Sequence, residues 1–394
     1  MTALERLPAI APIGKADHAE LVRVARLVAD RLLAHRWKLW FWGDSIGLEG
    51  LLDAFEITGD ARYFGYVHGI LKAWTSRKIG SDEWEYTAAG VALIRVYEKT
   101  GDPALLEHAI DFAQYLADFR KAKSGITIRY EKAAFDLPPE LPGNHPDAQP
   151  AAASREEPCA FVDTMHFDAP FFSALYRTTG EEKYAQWALE EITRQIELLQ
   201  DPATGLFHHF WIERTSKPNG VFWGRGNGWA LLGLEHTLTN LRSTSLDCTP
   251  LTNALTAQVL TLAELQDPSG HWHTVLDDSE SYLETSVAAF VVDGFSLAIR
   301  EHWLDAEAQT VIEKALRALL GSISPDGLVE GVSYETYPGT SGLHYRTMPT
   351  GAMVPWGQGP VLTALCSYLK TFCAVPDPEV VGSFKSDFSH QLNP

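Results

Sequence analysis

The run Trp223-Gly224-Arg225-Gly226-Asn227-Gly228-Trp229 gathers two indoles, a guanidinium, a carboxamide and three glycines into one short segment. Indole faces suit the apolar faces of sugar rings, and a guanidinium can grip a carboxylate through two parallel hydrogen bonds. Glycine lets a backbone approach a bound group closely. An apolar helical stretch begins directly afterwards at Ala230-Leu231-Leu232. The glycines and Asn227 therefore fall where a helix N-terminus offers unpaired N–H groups to an anion. The chemistry expected here is binding of an acidic sugar, with Arg225 held between Trp223 and Trp229. A glycine-rich turn between two core tryptophans is the alternative.

Carboxylates come next. Asp163 follows the apolar pair Phe161-Val162 and precedes a helix opening at Thr164, a position suited either to an N-cap or to an acid at a helix mouth. Asp82, Glu83 and Glu85 cluster before Tyr86. Glu85, nearest the coming helix, is the choice for a second acid, with Asp82 as the alternative. Asp44, behind Trp42 and Gly43, can cap the next helix or reach a ligand. His208-His209 and His271-x-His273 lack acidic or cysteine partners at ligand spacing, so neither a metal nor another cofactor is expected. No Ser-His-Asp signature, phosphate loop or dinucleotide fingerprint occurs, which argues against acyl transfer and nucleotide chemistry.

These groups need a scaffold, and the hydrophobic period supplies one. From residue 18 the apolar positions Leu21, Val24, Ala25, Val28 and Leu32 lie on a single helical stripe. The same period predicts helices near 18–36, 46–58, 60–75, 86–99, 103–120, 164–179, 181–200, 228–242, 250–266, 283–301, 306–320 and 357–372. Three junctions share a corner: Thr58-Gly59-Asp60, Thr100-Gly101-Asp102 and Thr179-Gly180-Glu181. A glycine cap followed by an acidic helix start marks helical hairpins in tandem. Six hairpins can close into an all-α (α/α)6 toroid; an open solenoid is the alternative. In the toroid every second helix is an inner one, and the entries to those helices carry Trp42-Gly43-Asp44, Glu85, Asp163, the tryptophan-arginine segment, Ser281-Tyr282-Leu283-Glu284 and Trp356-Gly357-Gln358. Convergent helix N-termini would favour an anionic ligand in that funnel.

The bulk properties narrow the partners. With 51 Asp and Glu against 32 Lys and Arg, the formal net charge is -19, so nucleic acid and anionic membranes are unsuitable partners. The four cysteines lack scaffold density or paired spacing and read as reduced thiols. With no leader pattern and no long apolar run, a cytoplasmic protein is expected. A single catalytic domain over 1–394 is expected, interrupted by a proline-rich insertion at about 121–160, read as a lid or a surface loop, and ending in a loose tail from about 376. Oligomeric state is not legible.

The ordered set Val162-Asp163-Thr164, Gly205-Leu206-Phe207-His208-His209, the tryptophan-arginine segment, Ser281-Tyr282-Leu283-Glu284-Thr285-Ser286 and Gly357-Gln358-Gly359-Pro360 resembles the unsaturated rhamnogalacturonyl hydrolases, glycoside hydrolase family 105, relatives of the unsaturated glucuronyl hydrolases. The likeness runs from about residue 40 to 370. It implies an (α/α)6 barrel that removes a 4,5-unsaturated uronic acid from the non-reducing end of lyase-generated oligosaccharides. It also implies that Asp163 is the catalytic acid, with His209, Trp223, Arg225 and Trp229 binding substrate. Where the family usually carries an Asp-His pair, this chain has Glu85-Tyr86. A sugar epimerase or isomerase using a histidine pair, and a non-catalytic carbohydrate-binding protein, are the other classes considered.

Overall fold

The structure, a computed structural model, describes residues 18–37, 42–76, 89–119, 121–131, 157–351 and 353–373. Glu85 and Asp82, most of the proline-rich insertion and the tail from 374 lie outside the described residues. The helices are α1 His18–Leu33, α2 Trp42–Thr58, α3 Ala61–Thr75, α4 Gly90–Thr100, α5 Pro103–Ala117, α6 Thr164–Thr179, α7 Glu182–Leu199, α8 Gly224–Asn240, α9 Thr249–Glu264, α10 Thr285–Arg300, α11 Gln309–Gly321, α12 Gly342–Arg346 and α13 Pro355–Phe372. The expected twelve are all present. The short α12 is additional, in a stretch with no helical period.

Each expected corner forms for the expected reason. Gly59, Gly101 and Gly180 take left-handed conformations with φ of 67°, 70° and 74°, a region that a side chain disfavours. The preceding threonine ties the corner together: Thr58, Thr100 and Thr179 each donate a hydroxyl to the carbonyl one turn back and accept the backbone N–H beyond the glycine. Asp60 and Asp102 then cap α3 and α5 by accepting from the N–H groups of Arg62 and Ala104, both at 3.1 Å.

Helices α2, α4, α6, α8, α10 and α13 pack side by side in that order, and α13 returns to α2, so the inner ring closes. The remaining long helices sit outside, each against the inner helix of its hairpin. Outer helices bury one stripe, such as Tyr184, Ala185, Ala188, Ile192 and Leu199 of α7. Inner helices such as α6 and α10 are buried on nearly all faces. Close approach in the inner ring depends on glycine. A side chain at Gly233 would strike the Met165 backbone across the α6–α8 contact, and one at Gly50 would meet the Gly359 carbonyl at 2.9 Å across α2–α13. No described helix is long and apolar enough to cross a membrane.

Short strands tie the inner-helix entries together. Strands β1 Arg129–Glu131, β2 Glu157–Phe161, β3 Phe210–Ile212 and β4 Lys217–Pro218 form one antiparallel sheet in that order. β5 Trp272–His273 pairs with β6 Leu283–Glu284, and β7 Val332–Ser333 with β8 Thr350–Gly351. β2 runs directly into α6, and β6 into α10.

Candidate active site

Asp163 and His209 meet because of strand register. Phe161 of β2 pairs with Phe210 of β3, and the Val162 N–H donates to the His209 carbonyl at 2.9 Å. Asp163 then turns onto the first turn of α6 with its side chain 14% exposed and makes no capping hydrogen bond to its own helix. Its Oδ2 is buried and stands 3.5 Å from Nε2 of His209. Asp163 thus occupies the N-cap position of α6, but its carboxyl caps no N–H and is faced by an imidazole instead.

The aromatic surroundings come from separate elements. The His209 ring lies 4.4 Å from that of Trp223, and the Arg225 guanidinium sits 4.6 Å from the Trp223 ring. The same guanidinium lies 6.0 Å from the Trp356 ring, and Trp356 packs against Trp42 at 5.0 Å. A continuous path therefore runs from Asp163 through His209, Trp223, Arg225 and Trp356 to Trp42, joining the N-terminal ends of α6, α8, α13 and α2. Asp44, in the first turn of α2, is buried with its Oδ1 3.4 Å from Nε2 of His35.

The tryptophan-arginine segment differs from its expectation. It is helix rather than a loop before one, since α8 begins at Gly224. Its glycines are filled by protein: a side chain at Gly226 would meet Val162 at 2.8 Å and Trp223 at 2.9 Å, and one at Gly228 would strike Phe290. They serve close packing of the inner ring. Asn227 exchanges two hydrogen bonds with the Phe207 backbone, at 2.8 and 2.9 Å, and so staples the loop before β3 to α8. Trp229 is fully buried between His166, Phe167 and Phe290. The second indole beside Arg225 is Trp356 instead.

Arg225 is itself 0% exposed. Nη1 donates to the Ser333 carbonyl at 2.9 Å and hydroxyl at 2.5 Å and stands 3.4 Å from Oε1 of Glu284; Nη2 donates to the Tyr334 carbonyl at 2.9 Å and Thr336 Oγ1 at 3.0 Å. Burial lowers its pKa from the ordinary arginine value, opposed by Glu284 and, more weakly, by Asp163. The fork expected to grip a substrate carboxylate is occupied by the protein.

Behind His209 stands a residue that no sequence motif marks. Tyr345 of α12 is buried, and its hydroxyl lies 2.6 Å from Nδ1 of His209. Asn219, just beyond β4, reaches the same hydroxyl at 3.2 Å. His208 turns the other way and stacks on Phe222 at 4.5 Å, and burial lowers its pKa. The two adjacent histidines therefore do not form an acid–base pair. Among the described residues no cluster of three or more His, Cys, Asp or Glu could hold a metal ion.

Toward the C-terminal ends of the inner helices lies a half-open cavity of about 120 Å³ lined by Asp53, Arg95, Asp293, Arg300 and Lys370 among others. Burial, and secondarily Asp53, raises Asp293 to a pKa of about 6, and burial holds Glu235 well above the carboxylate range.

A closed ring of six inner helices with an outer layer, carrying a carboxyl–imidazole pair beside a tryptophan at the inner-helix entries, defines an (α/α)6 toroid. The chain belongs to Glycosyl Hydrolase Family 88, whose model matches residues 17–372. It is 28% identical over 353 residues to the unsaturated rhamnogalacturonyl hydrolase YesR of Bacillus subtilis, covering 87% of this chain and 94% of that one. Its fold is similar to that of a possible GH105 family member from Salmonella enterica, with TM-score 0.76, 24% identity, and 94% and 97% of the two chains covered. It is also similar to that of the unsaturated glucuronyl hydrolase of Bacillus sp. GL1, with TM-score 0.66, 16% identity, and 91% and 97% covered.

Proposed function

We propose that this glycoside hydrolase removes a 4,5-unsaturated uronic acid from the non-reducing end of lyase-generated oligosaccharides. The observation that carries the reading is the partly exposed Asp163 carboxyl at the start of α6, faced by His209, whose ring packs on Trp223. In its acid form Asp163 gives its proton to C4 of the double bond, and positive charge develops at C5 and the ring oxygen. Water adds at C5 and returns a proton to the Asp163 carboxylate. The hemiketal opens, and the hemiacetal left at C1 releases the leaving sugar. The anomeric carbon is never attacked, so carboxylate separation does not govern the outcome.

His209, backed by the buried Trp223, steadies the Asp163 anion between the two proton transfers, while the half-buried Trp42 faces the sugar. Asp44 belongs to the same mouth of the ring. Glu85, with Asp82 as the alternative, is the proposed second carboxylate. Arg225, Asn227 and Trp229 hold the mouth in shape rather than touching substrate. One hydrophobic core running from Leu21 to Leu369 supports a single catalytic domain, and four cysteines without a disulfide support a reducing, cytoplasmic setting. The test is the ultraviolet absorbance of the unsaturated uronate, followed over a panel of lyase products from rhamnogalacturonan, ulvan and glycosaminoglycan. Loss of absorbance on at least one is expected. Unchanged absorbance on all, with the sugar nonetheless isomerised or merely bound, would replace this reading with one of the other classes.

A further inference from the structure

We propose that Tyr345 is a positioning residue that locks His209 as its Nε2–H tautomer and so assigns the transferable proton of Asp163 to Oδ1. The kinetic consequence rests on the proposed hydration chemistry, but the tautomer itself can be read without substrate.

The protons and lone pairs around the phenol oxygen admit one arrangement. The Asn219 carboxamide is oriented by the backbone: its Oδ1 accepts from the N–H groups of Phe210 at 3.5 Å and Val221 at 3.4 Å. Its Nδ2 therefore points the other way, donating to the Gly339 carbonyl at 2.9 Å and the Tyr345 hydroxyl at 3.2 Å. The Gly339 N–H reaches the same hydroxyl at 3.3 Å. Two N–H donors fill the two lone pairs of the phenol oxygen. A third donor from His209 would have no acceptor there, so the single O–H proton goes to Nδ1 of His209, the shortest contact at 2.6 Å. The competing acceptor, the Gly339 carbonyl at 3.1 Å, already receives Asn219 on one lone pair, and giving it the phenol proton would leave the 2.6 Å nitrogen–oxygen contact with His209 without a proton between the two atoms. Burial also pushes the Tyr345 hydroxyl up from its ordinary pKa, which keeps it a donor.

With Nδ1 accepting, the one N–H of a neutral imidazole is at Nε2, which faces Oδ2 of Asp163. That oxygen must then be an acceptor, and the carboxylic proton resides on Oδ1. The proton leaves Oδ1 for C4 and is replaced there from water, while the His209 proton stays in place throughout. At 3.5 Å the two atoms make no hydrogen bond at rest, and the buried Oδ2 has no other partner among the described residues; the contact is one that tightens when the carboxylate forms. Among the described residues, the other titratable or charged groups near this ring are His344, whose Nε2 stands 2.7 Å from the Tyr337 carbonyl, and Arg225, 4.6 Å from the Trp223 ring.

Two measurements test the assignment. In the first, Tyr345→Phe is made alone and in a His209→Gln background, where an amide N–H stands near the Nε2–H position and no tautomer remains to be set. Tyr345→Phe should lower kcat by about tenfold or more, with KM within about threefold, in the wild-type background and change kcat by less than about threefold in the His209→Gln background. Equal losses in both backgrounds would show a merely structural tyrosine and overturn the proposal. The second measurement needs no Tyr345 variant. In the protein labelled with nitrogen-15 histidine, long-range proton–nitrogen spectra, assigned by the signal missing from His209→Gln, should report a pyridine-like Nδ1. A protonated Nδ1 accompanied by normal turnover overturns the tautomer assignment. A pyridine-like Nδ1 without turnover on any unsaturated substrate supports it and overturns the proposed reaction instead.

Discussion

Arg225 and Glu284 form an ion pair from which water is wholly excluded, Nη1 lying 3.4 Å from Oε1 with neither side chain exposed. Glu284 also caps α10 by accepting from the Val287 N–H at 3.2 Å and receives the Ser333 N–H at 2.9 Å. One guanidinium thereby joins the starts of α8 and α10 to β7. Such a pair gains little over an apolar substitute, yet breaking it strands a buried charge.

Arg225→Lys should therefore act through stability as well as through activity. Lysine cannot span Ser333, Tyr334 and Thr336 with one ammonium group. A loss of about 3 kcal/mol in urea unfolding is expected, on the scale of a broken buried pair, with kcat and KM both impaired. Unchanged stability with a rise in KM alone would return Arg225 to direct contact with the substrate carboxylate.

Asp163→Asn should separate chemistry from folding. The side chain makes no capping hydrogen bond to α6, so the unfolding midpoint should scarcely move. A group used in both proton transfers is lost, and kcat should fall by about a hundredfold to ten-thousandfold. A folded variant within tenfold of the wild-type rate would disprove the assignment.

The glycines of α8 should behave as packing residues. A methyl group at Gly228 would collide with Phe290, so Gly228→Ala should destabilise by about 1–3 kcal/mol. Gly65, inside α3, has open space where a side chain would go. Gly65→Ala should stabilise by about 0.5–1 kcal/mol. Thermal unfolding of the two variants checks the contrast.

Asp293 should impose a pH dependence on stability. Its folded pKa of about 6 lies above its ordinary value of 3.8, so the folded state holds the proton more tightly. The stabilisation linked to protonation is complete below the ordinary value and is lost as pH rises through about 6. Asp293→Asn removes that loss. Its stability relative to wild type should rise between pH ~4 and ~7, by at most about 3 kcal/mol for a shift near two units. Urea midpoints that track each other across this range would refute the effect.

The chain's own pattern carried the architecture. The Thr-Gly-acid corners and the 3.6-residue period are local, and local rules decide where a hairpin turns and which helices lie inside. The same locality made the placement of Asp163 legible, since it stands beside the helix it opens. The roles within the tryptophan-arginine segment were not legible, because they depend on what arrives from elsewhere. Phe290 and Val162 claim the space beside the glycines, Phe207 claims Asn227, and Ser333, 108 positions away, claims the arginine fork. Tyr345 lies 136 positions from His209 in a helix too short to show a period. Side-chain types and spacing announced a cluster of polar and aromatic groups at the inner-helix entries of a ring. Only closure of that ring, which brings distant donors and acceptors into one dry space where each proton must find a partner, decided which of those groups are tied up by the protein itself and which keep an exposed edge.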